Sequence, residues 1–376
     1  TTLLGVSIRK VLMPSIANTI GTNMKTYKII KQNQFAYGPV TSRNGDKISI
    51  ALLEEHETAI VSQAYTVFEV IDEQEVLPEY LMMWFRRPEF DRFARFKSHG
   101  SAREVFDWEE LCDTQLPIPS IEKQRQIVAE YNTITNRIQL NEKINSNLES
   151  TAQALYKHWF VDFEFPNAEN KPYKSSGGEM VYNEELDKDI PVGWSTERLN
   201  NTANILNKKR KPISGIDRKE IQGMYPYYGA MGAVDSINDY VFDGTYLLVS
   251  EDGIYVTDKN GNPSTQYVWG KFWVNNHAHI LQGKKHISTE YLMLALKNTN
   301  VTHLVTGAAQ PKINLGNLSS IFIQIPNIEL SMKFNEMLTK IYKAFKFTKD
   351  ENKALQELQS LLLAKMTQQE TKTLVV

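Results

Sequence analysis

The chain has 376 residues, 41% of them apolar and 23% charged, with a formal net charge of −2. A single cysteine, Cys112, excludes an intramolecular disulfide framework, and no apolar run approaches the ~18–20 residues of a membrane helix. The near-neutral balance counts against binding nucleic acid by bulk charge alone and leaves local basic patches as the route to an anionic partner. Thr1-Thr2-Leu3-Leu4-Gly5 has no charged segment followed by an apolar stretch, so no secretory signal is read there and the cytoplasm is the expected compartment.

Residues 1–118 are rich in Val, Ile, Tyr and Phe and are broken by turns such as Arg43-Asn44-Gly45-Asp46. That pattern predicts short strands, with a helix expected from Leu77 to Phe96. From Glu122 to Phe163 there is neither proline nor glycine, and residues 119–164 read as a helical spacer. Residues 165–185, with Lys174-Ser175-Ser176-Gly177-Gly178, read as a surface linker. A second α+β unit follows over 186–326, opened by Ile190-Pro191-Val192-Gly193-Trp194 and carrying an expected helix from Ser288 to Leu304. Residues 327–376 read as a second helical spacer.

The chain contains itself twice. Glu79-Tyr80-Leu81-Met82 returns as Glu290-Tyr291-Leu292-Met293, and Gly100-Ser101-Ala102-Arg103 as Gly307-Ala308-Ala309-Gln310. Ile118-Pro119-Ser120-Ile121-Glu122 returns as Ile325-Pro326-Asn327-Ile328-Glu329. From Gly100 onward the offset is constant. Solenoid repeats run ~20–50 residues, so this period is a duplicated domain.

Both spacers carry a heptad seam. Ile127, Tyr131, Ile134, Ile138, Asn141, Asn145, Leu148, Ala152, Leu155 and Trp159 keep alternating four-three spacing. The repeat carries them onto Phe334, Leu338, Ile341, Phe345, Thr348, Asn352, Leu355, Gln359, Leu362 and Met366. A stripe this narrow needs a partner helix, and each spacer supplies the other's. The centre of each seam is polar, and buried Asn there costs stability and fixes register. Because the polar layer is central, the pattern alone does not choose between parallel and antiparallel pairing.

With these motifs in view, the chain resembles the specificity subunit of type I restriction-modification systems. The likeness is carried by Ile118-Pro119-Ser120-Ile121-Glu122-Lys123-Gln124-Arg125-Gln126-Ile127-Val128 and by Leu155-Tyr156-Lys157-His158-Trp159-Phe160-Val161-Asp162-Phe163. Gly177-Gly178-Glu179-Met180-Val181 and the Pro191-Val192-Gly193-Trp194 segment add to it. It covers nearly the whole chain, with the motifs in order. The departures are Leu330-Ser331-Met332, where the first spacer has Lys-Gln-type residues, and the short N-terminal end, which has no equivalent of the Pro-Val-Gly-Trp entry: either the chain is trimmed at its start or the first unit begins differently. The resemblance implies an α+β fold with two similar target recognition domains separated by a pair of long antiparallel coiled-coil helices, related by a pseudo-twofold. It implies a non-catalytic subunit that reads a bipartite, asymmetric sequence in double-stranded DNA. It also implies docking of two methyltransferase and two restriction/translocase subunits, so that adenine methylation or cleavage is directed to the target. S-adenosylmethionine, Mg and ATP belong to those partners, and no cofactor is expected on this chain.

The residues agree that chemistry lies elsewhere. Gly270-Lys271 is followed by Phe272 and lacks the spacing of a nucleotide loop, and Gly229-Ala230-Met231-Gly232 reads as a turn. His277-Ala278-His279 is a weak metal pair without further ligands; on a strand the two rings would share a face and meet DNA or the core. No metal site is expected. Candidate DNA-binding residues are Arg43, Lys47, Lys97, Ser101 and Arg103 in the first unit. In the second they are Lys208, Lys209, Arg210, Lys211, Tyr227, Ser250, Asn276, His277, Gln310 and Lys312. Basic and small polar groups position phosphates, and Arg, Asn and Gln read base edges. Lys97 to Arg103 and Thr306 to Lys312 occupy matched positions, and their glycines permit close approach to a ligand. Candidate coiled-coil interface residues are Ile134, Ile138, Asn141, Asn145, Leu148, Leu155, Ile341, Phe345, Asn352, Leu355 and Leu362. A protein-binding scaffold needs no basic loops, and a fused methyltransferase needs motifs that this chain lacks.

Overall fold

The computed structural model describes residues 2–15, 23–41, 47–100 and 104–366, and the backbone of 372–375. The chain divides into two compact units, Thr1–Glu142 with Lys349–Val376, and Lys143–Thr348. Each combines an α+β body with the adjoining stretches of the two long helices.

In the first unit Phe35–Gly38 lies between Ser49–Leu52 and Thr66–Phe68, all antiparallel. Side chains of a strand alternate between faces. Phe35 and Tyr37 therefore enter one core with Tyr80, Met82 and Phe85, while Ala36 enters another with Leu4, Ile30 and Val61. Leu3–Val6 pairs parallel with Thr58–Val61 and antiparallel with Leu12–Pro14. The stretch expected as one helix from Leu77 is two, Pro78–Arg86 and Pro88–Lys97. Pro88 excludes the helical region for the residue before it, and Arg87 is extended at φ −68, ψ 134.

The second unit is built on a six-stranded sheet. Phe242–Ser250 runs between Thr265–Val274 and Ala278–Gly283, both antiparallel to it. The hairpin of Gln222–Gly229 and Gly232–Ile237 extends the sheet through a parallel pairing with Thr265–Val274. Ser288 caps the helix Thr289–Leu296, its hydroxyl accepting from the Tyr291 N–H at 3.1 Å. That helix stops short of the expected end, and Thr302–Leu304 forms a separate 3-10 turn.

The duplication reaches individual hydrogen bonds. Asp107 and Asn314 cap the matched helices Trp108–Cys112 and Leu315–Ser319. The Tyr80 hydroxyl donates to the Pro117 carbonyl at 3.3 Å, and its counterpart Tyr291 donates to Gln324 at 2.8 Å. Strand Phe322–Ile325 pairs with Ser195–Arg198, directly after the Pro-Val-Gly-Trp segment. Its counterpart Gln115–Ile118 pairs with Lys372–Val375. Lys372–Val375 thus pairs with Gln115–Ile118 as Ser195–Arg198 pairs with Phe322–Ile325.

The starts of the long helices solve one problem with different residues. Gln124 is fully buried; its side chain accepts from Leu77 N–H at 2.9 Å and donates to the carbonyls of Glu75 and Pro119. At the matched position Ser331 donates to the His286 carbonyl, joined by Asn335 at 2.7 Å. The departure at Leu330-Ser331-Met332 leaves the contact in place.

The long helices, Ile121–Tyr156 and Ile328–Lys365, pair antiparallel within each unit. In the first unit Asn141 donates to Asn352 at 2.8 Å, Gln359 donates to Thr135 at 2.7 Å, and Arg137 pairs with Glu351 at 2.9 Å. In the second, Thr348 donates to Asn145 at 2.6 Å and the rings of Trp159 and Phe334 lie 5.4 Å apart. Numbers rise along one helix as they fall along the other. Ile134, Ile138, Asn141, Asn145, Phe345 and Asn352 are buried, and Leu148, Leu155, Ile341, Leu355 and Leu362 are half-buried. Leu363, off the expected seam, is buried with Met366 against the first unit's core.

Both helices also enter the bodies' cores. Ile127 and Tyr131 join Tyr80 and Phe85, while Phe334, Leu338 and Phe345 join Phe160 and Tyr291. After Tyr156 the first helix widens into a π turn, with the Asp162 N–H reaching the Lys157 carbonyl at 2.9 Å. The wider turn lets neighbouring Trp159 and Phe160 both be buried. The expected linker is folded rather than free. Phe165 stacks on Tyr173 at 4.6 Å and on Trp194 at 5.3 Å, ahead of the hairpin Met180–Asn183 and Lys188–Pro191.

Candidate nucleic-acid interface

Both units carry the same pair of interlocked loops. His99 and Val105 exchange two backbone hydrogen bonds of 2.9 Å, closing one loop. Thr306 and Lys312 close the matched loop with bonds of 2.9 and 2.8 Å. Each loop is then clamped onto a second segment. In the first unit Thr41 N–H donates to Glu104 and Phe106 N–H to Pro39, both at 3.0 Å. In the second, Gly253 N–H donates to Pro311 and Ile313 N–H to Glu251, again at 3.0 Å. Gly307 is at φ 87, and a Cβ there would lie 2.4 Å from the Gln310 carbonyl, so the tight turn requires glycine.

Glu251 is the electrostatic hub of the second unit's loops. Its carboxylate pairs with Arg210 at 2.6 Å and Lys312 at 3.1 Å, and lies 3.6 Å from His279. Burial alone would push its pKa up; Arg210 and Lys312 outweigh burial and hold it below the usual carboxylate range. His279 is fully buried, and burial lowers its pKa. Its Nε2 lies 2.8 Å from the Ile313 carbonyl, so Nε2 carries the proton, and Nδ1 accepts from Asn207 at 2.8 Å. His277 precedes the strand and does not share a face with His279. Its side chain is 47% exposed, and its Nδ1 meets Asp252 at 2.9 Å.

The sequence candidates separate on this frame. Lys208, Lys209, Lys211, Asn276, His277, Gln310 and Lys312 are exposed. Arg210 is turned inward; it also donates to the carbonyls of Asn276 and Ala278, which ties the basic segment to the loops. Two expectations need correction on burial. Ser250 is 0% and Tyr227 1% exposed, with the Tyr227 hydroxyl accepting from the Ile213 N–H at 3.0 Å, so both support the surface from beneath. In the first unit Lys97 is exposed at the end of Pro88–Lys97. Lys47 borders a cleft of about 810 Å³ that also exposes Arg9, His56 and Arg86 to the helix side chains Asn132 and Gln139. Arg43, Ser101 and Arg103 lie outside the described residues. The turn from Ser250 to Gly253 was a candidate as a segment, but Glu251 and Asp252 were not singled out within it, since in sequence it reads only as a turn.

The sequence model described as "Type I restriction modification DNA specificity domain" matches residues 11–150 and 191–357, most of the chain and both copies of the repeat. The chain belongs to the family of type I restriction-modification specificity subunits. Specificity subunits are non-catalytic DNA-recognition components, and the double match follows the internal duplication. The chain is 24% identical over 311 residues to the MjaIX specificity subunit of Methanocaldococcus jannaschii, covering 79% of this chain and 70% of that protein. It is 23% identical to the HindI specificity subunit of Haemophilus influenzae, covering 95% and 90%. The fold is similar to the crystal structure of the type I restriction-modification S subunit from M. genitalium, with a TM-score of 0.51 at 13% identity, covering 90% of this chain and 83% of that one. Among the described residues no helix is long and apolar enough to cross a membrane.

Proposed function

We propose that each unit reads one half of a bipartite, asymmetric duplex DNA target through its interlocked loops, and that the paired helices fix the spacing between the halves. The observation that supports this best is one backbone frame built twice with different side chains on it. His99 and Lys97 occupy one copy where Thr306, Gln310 and Lys312 occupy the other. A shared frame with unlike surfaces suits two unlike half-sites. In the second unit Lys208, Lys209, Lys211 and Lys312 contact phosphates, and Asn276 and Gln310 reach base edges. In the first, Lys97 and the Arg103 loop do so, with Lys47 on a second segment. The net charge of −2 leaves much of the phosphate neutralisation to partners. On this reading two methyltransferase subunits and two restriction/translocase subunits dock on the chain in the cytoplasm. They bring S-adenosylmethionine, Mg and ATP, and the chain directs adenine methylation or cleavage to its site.

A unit exchange tests this. Residues 186–326 are replaced by the corresponding unit of another specificity subunit, and methylated positions are mapped genome-wide in cells carrying the cognate methyltransferase. One half of the motif should change and the other should persist. A change in both halves, or in neither, contradicts separate reading.

A further inference from the structure

The pair of His277 and Asp252 has a geometry that a solvated surface histidine does not need. Both carboxylate oxygens of Asp252 face Nδ1 of His277, at 2.9 and 3.1 Å. An ionised carboxylate only accepts, so Nδ1 carries a proton, and a neutral ring in this tautomer presents its lone pair at Nε2. Among the described residues Nε2 has no protein partner, and the side chain is 47% exposed while Asp252 is 16% exposed. The backbone on both sides is fixed. The His277 N–H donates to the Asn275 side chain at 2.8 Å, and the His277 carbonyl accepts from the Glu251 N–H at 2.9 Å. Asp252 is bridged to Lys312, which closes the glycine loop two residues after Gln310. The result is a single hydrogen-bond acceptor, locked in tautomer and direction, on the rim of the interlocked loops.

In the major groove, hydrogen-bond donors are the exocyclic amino groups, N6 of adenine and N4 of cytosine, while guanine presents only acceptors there. We propose that His277, oriented by Asp252, is a specificity-determining residue that accepts a hydrogen bond from the exocyclic amino group of one adenine or cytosine in the second unit's half-site. This rests on the DNA-reading function proposed above. Asp252 is a positioning residue: it touches no base and acts by fixing the proton on Nδ1.

The test maps methylated motifs at base resolution in cells carrying the full chain with its cognate methyltransferase. In the wild type, one position of the second unit's half-site is adenine or cytosine on the read strand, and its identity tells the two amino groups apart. His277→Ala makes that one position degenerate, with on the order of tenfold loss of discrimination against the other bases, and leaves the remaining positions intact. Asp252→Ala relaxes the same position, because the ring is free to change tautomer. His277→Arg, which offers only donors, shifts the preference there to guanine. An unchanged motif in His277→Ala overturns the inference, as does relaxation at different positions in the two Ala variants. Loss of methylation at every site without relaxation at one, in a chain still assembled with its methyltransferase, assigns His277 to the fold and also overturns it. Failure of the underlying function looks different: the wild-type chain itself would direct no bipartite motif.

Discussion

At the scale of the residue, Glu251 and His279 make the second unit sensitive to acid. The folded state holds the Glu251 carboxyl below its ordinary 4.5, so its contribution is present above that value and is lost as pH falls through the folded pKa. The fold also depresses His279 from 6.5, so the unfolded chain takes up that proton first as pH falls below about 6.5. Both effects have one sign. The thermal midpoint of the full chain should be flat above neutrality and should drop progressively below about pH 6.5. His279→Gln should move the start of that drop down toward the carboxylate range, which scanning calorimetry across pH would show. An unchanged profile would mean that His279 is not held neutral. Single residues were also where the sequence was least legible. Ser250 and Tyr227 have the chemistry of a contact residue, yet they are buried, because a residue type reveals polarity and not which face of a strand it occupies. Lys208 and Lys209 needed no such information: two lysines in a short polar run have few places to go but solvent.

At the scale of the element, the heptad seam was readable because its spacing repeats over many turns. Its direction was not, since a central polar layer is symmetric under reversal. Asn141 with Asn352 shows how the direction is encoded, by side chains that meet only when the helices run opposite ways. The break at Arg87 was in plain view as a residue before proline, but the apolar content of the stretch suggested one helix. The π turn at Lys157–Val161 left no periodic trace, because one additional residue in a turn is invisible to a heptad count. The polar layer makes a quantitative prediction. Asn352→Leu should cost about 0.5–1.5 kcal/mol, since it removes one of the two acceptors of the buried Asn141 amide and leaves only Glu351 at 2.6 Å. Asn141 Oδ1 already lacks a partner among the described residues, so the double change to Leu should recover that loss and stabilise by on the order of 1 kcal/mol. Urea denaturation of both single variants and the double variant would measure the coupling. Simple additivity of the two losses would contradict the pairing.

At the scale of the whole molecule, the duplication gave the architecture away, because matched motifs at one offset imply matched domains. What the sequence did not show is that the strand Lys372–Val375 pairs with Gln115–Ile118, since strand pairing between segments so far apart in a chain has no local signature. The half-sites themselves also stay hidden in the sequence, because they depend on loop geometry and on DNA shape. The proposed spacing role can be tested without altering a loop. Seven residues inserted after Glu142 and seven after Thr348 preserve the seam and lengthen each helix by ~10 Å at ~1.5 Å per residue. That length corresponds to about three base pairs at ~3.4 Å each. Base-resolution methylation mapping of this variant beside the wild type should therefore return the same two half-sequences with a longer unread gap between them. The same gap, or a motif altered in either half, would contradict the idea that the helix pair sets the distance between two independently read sites.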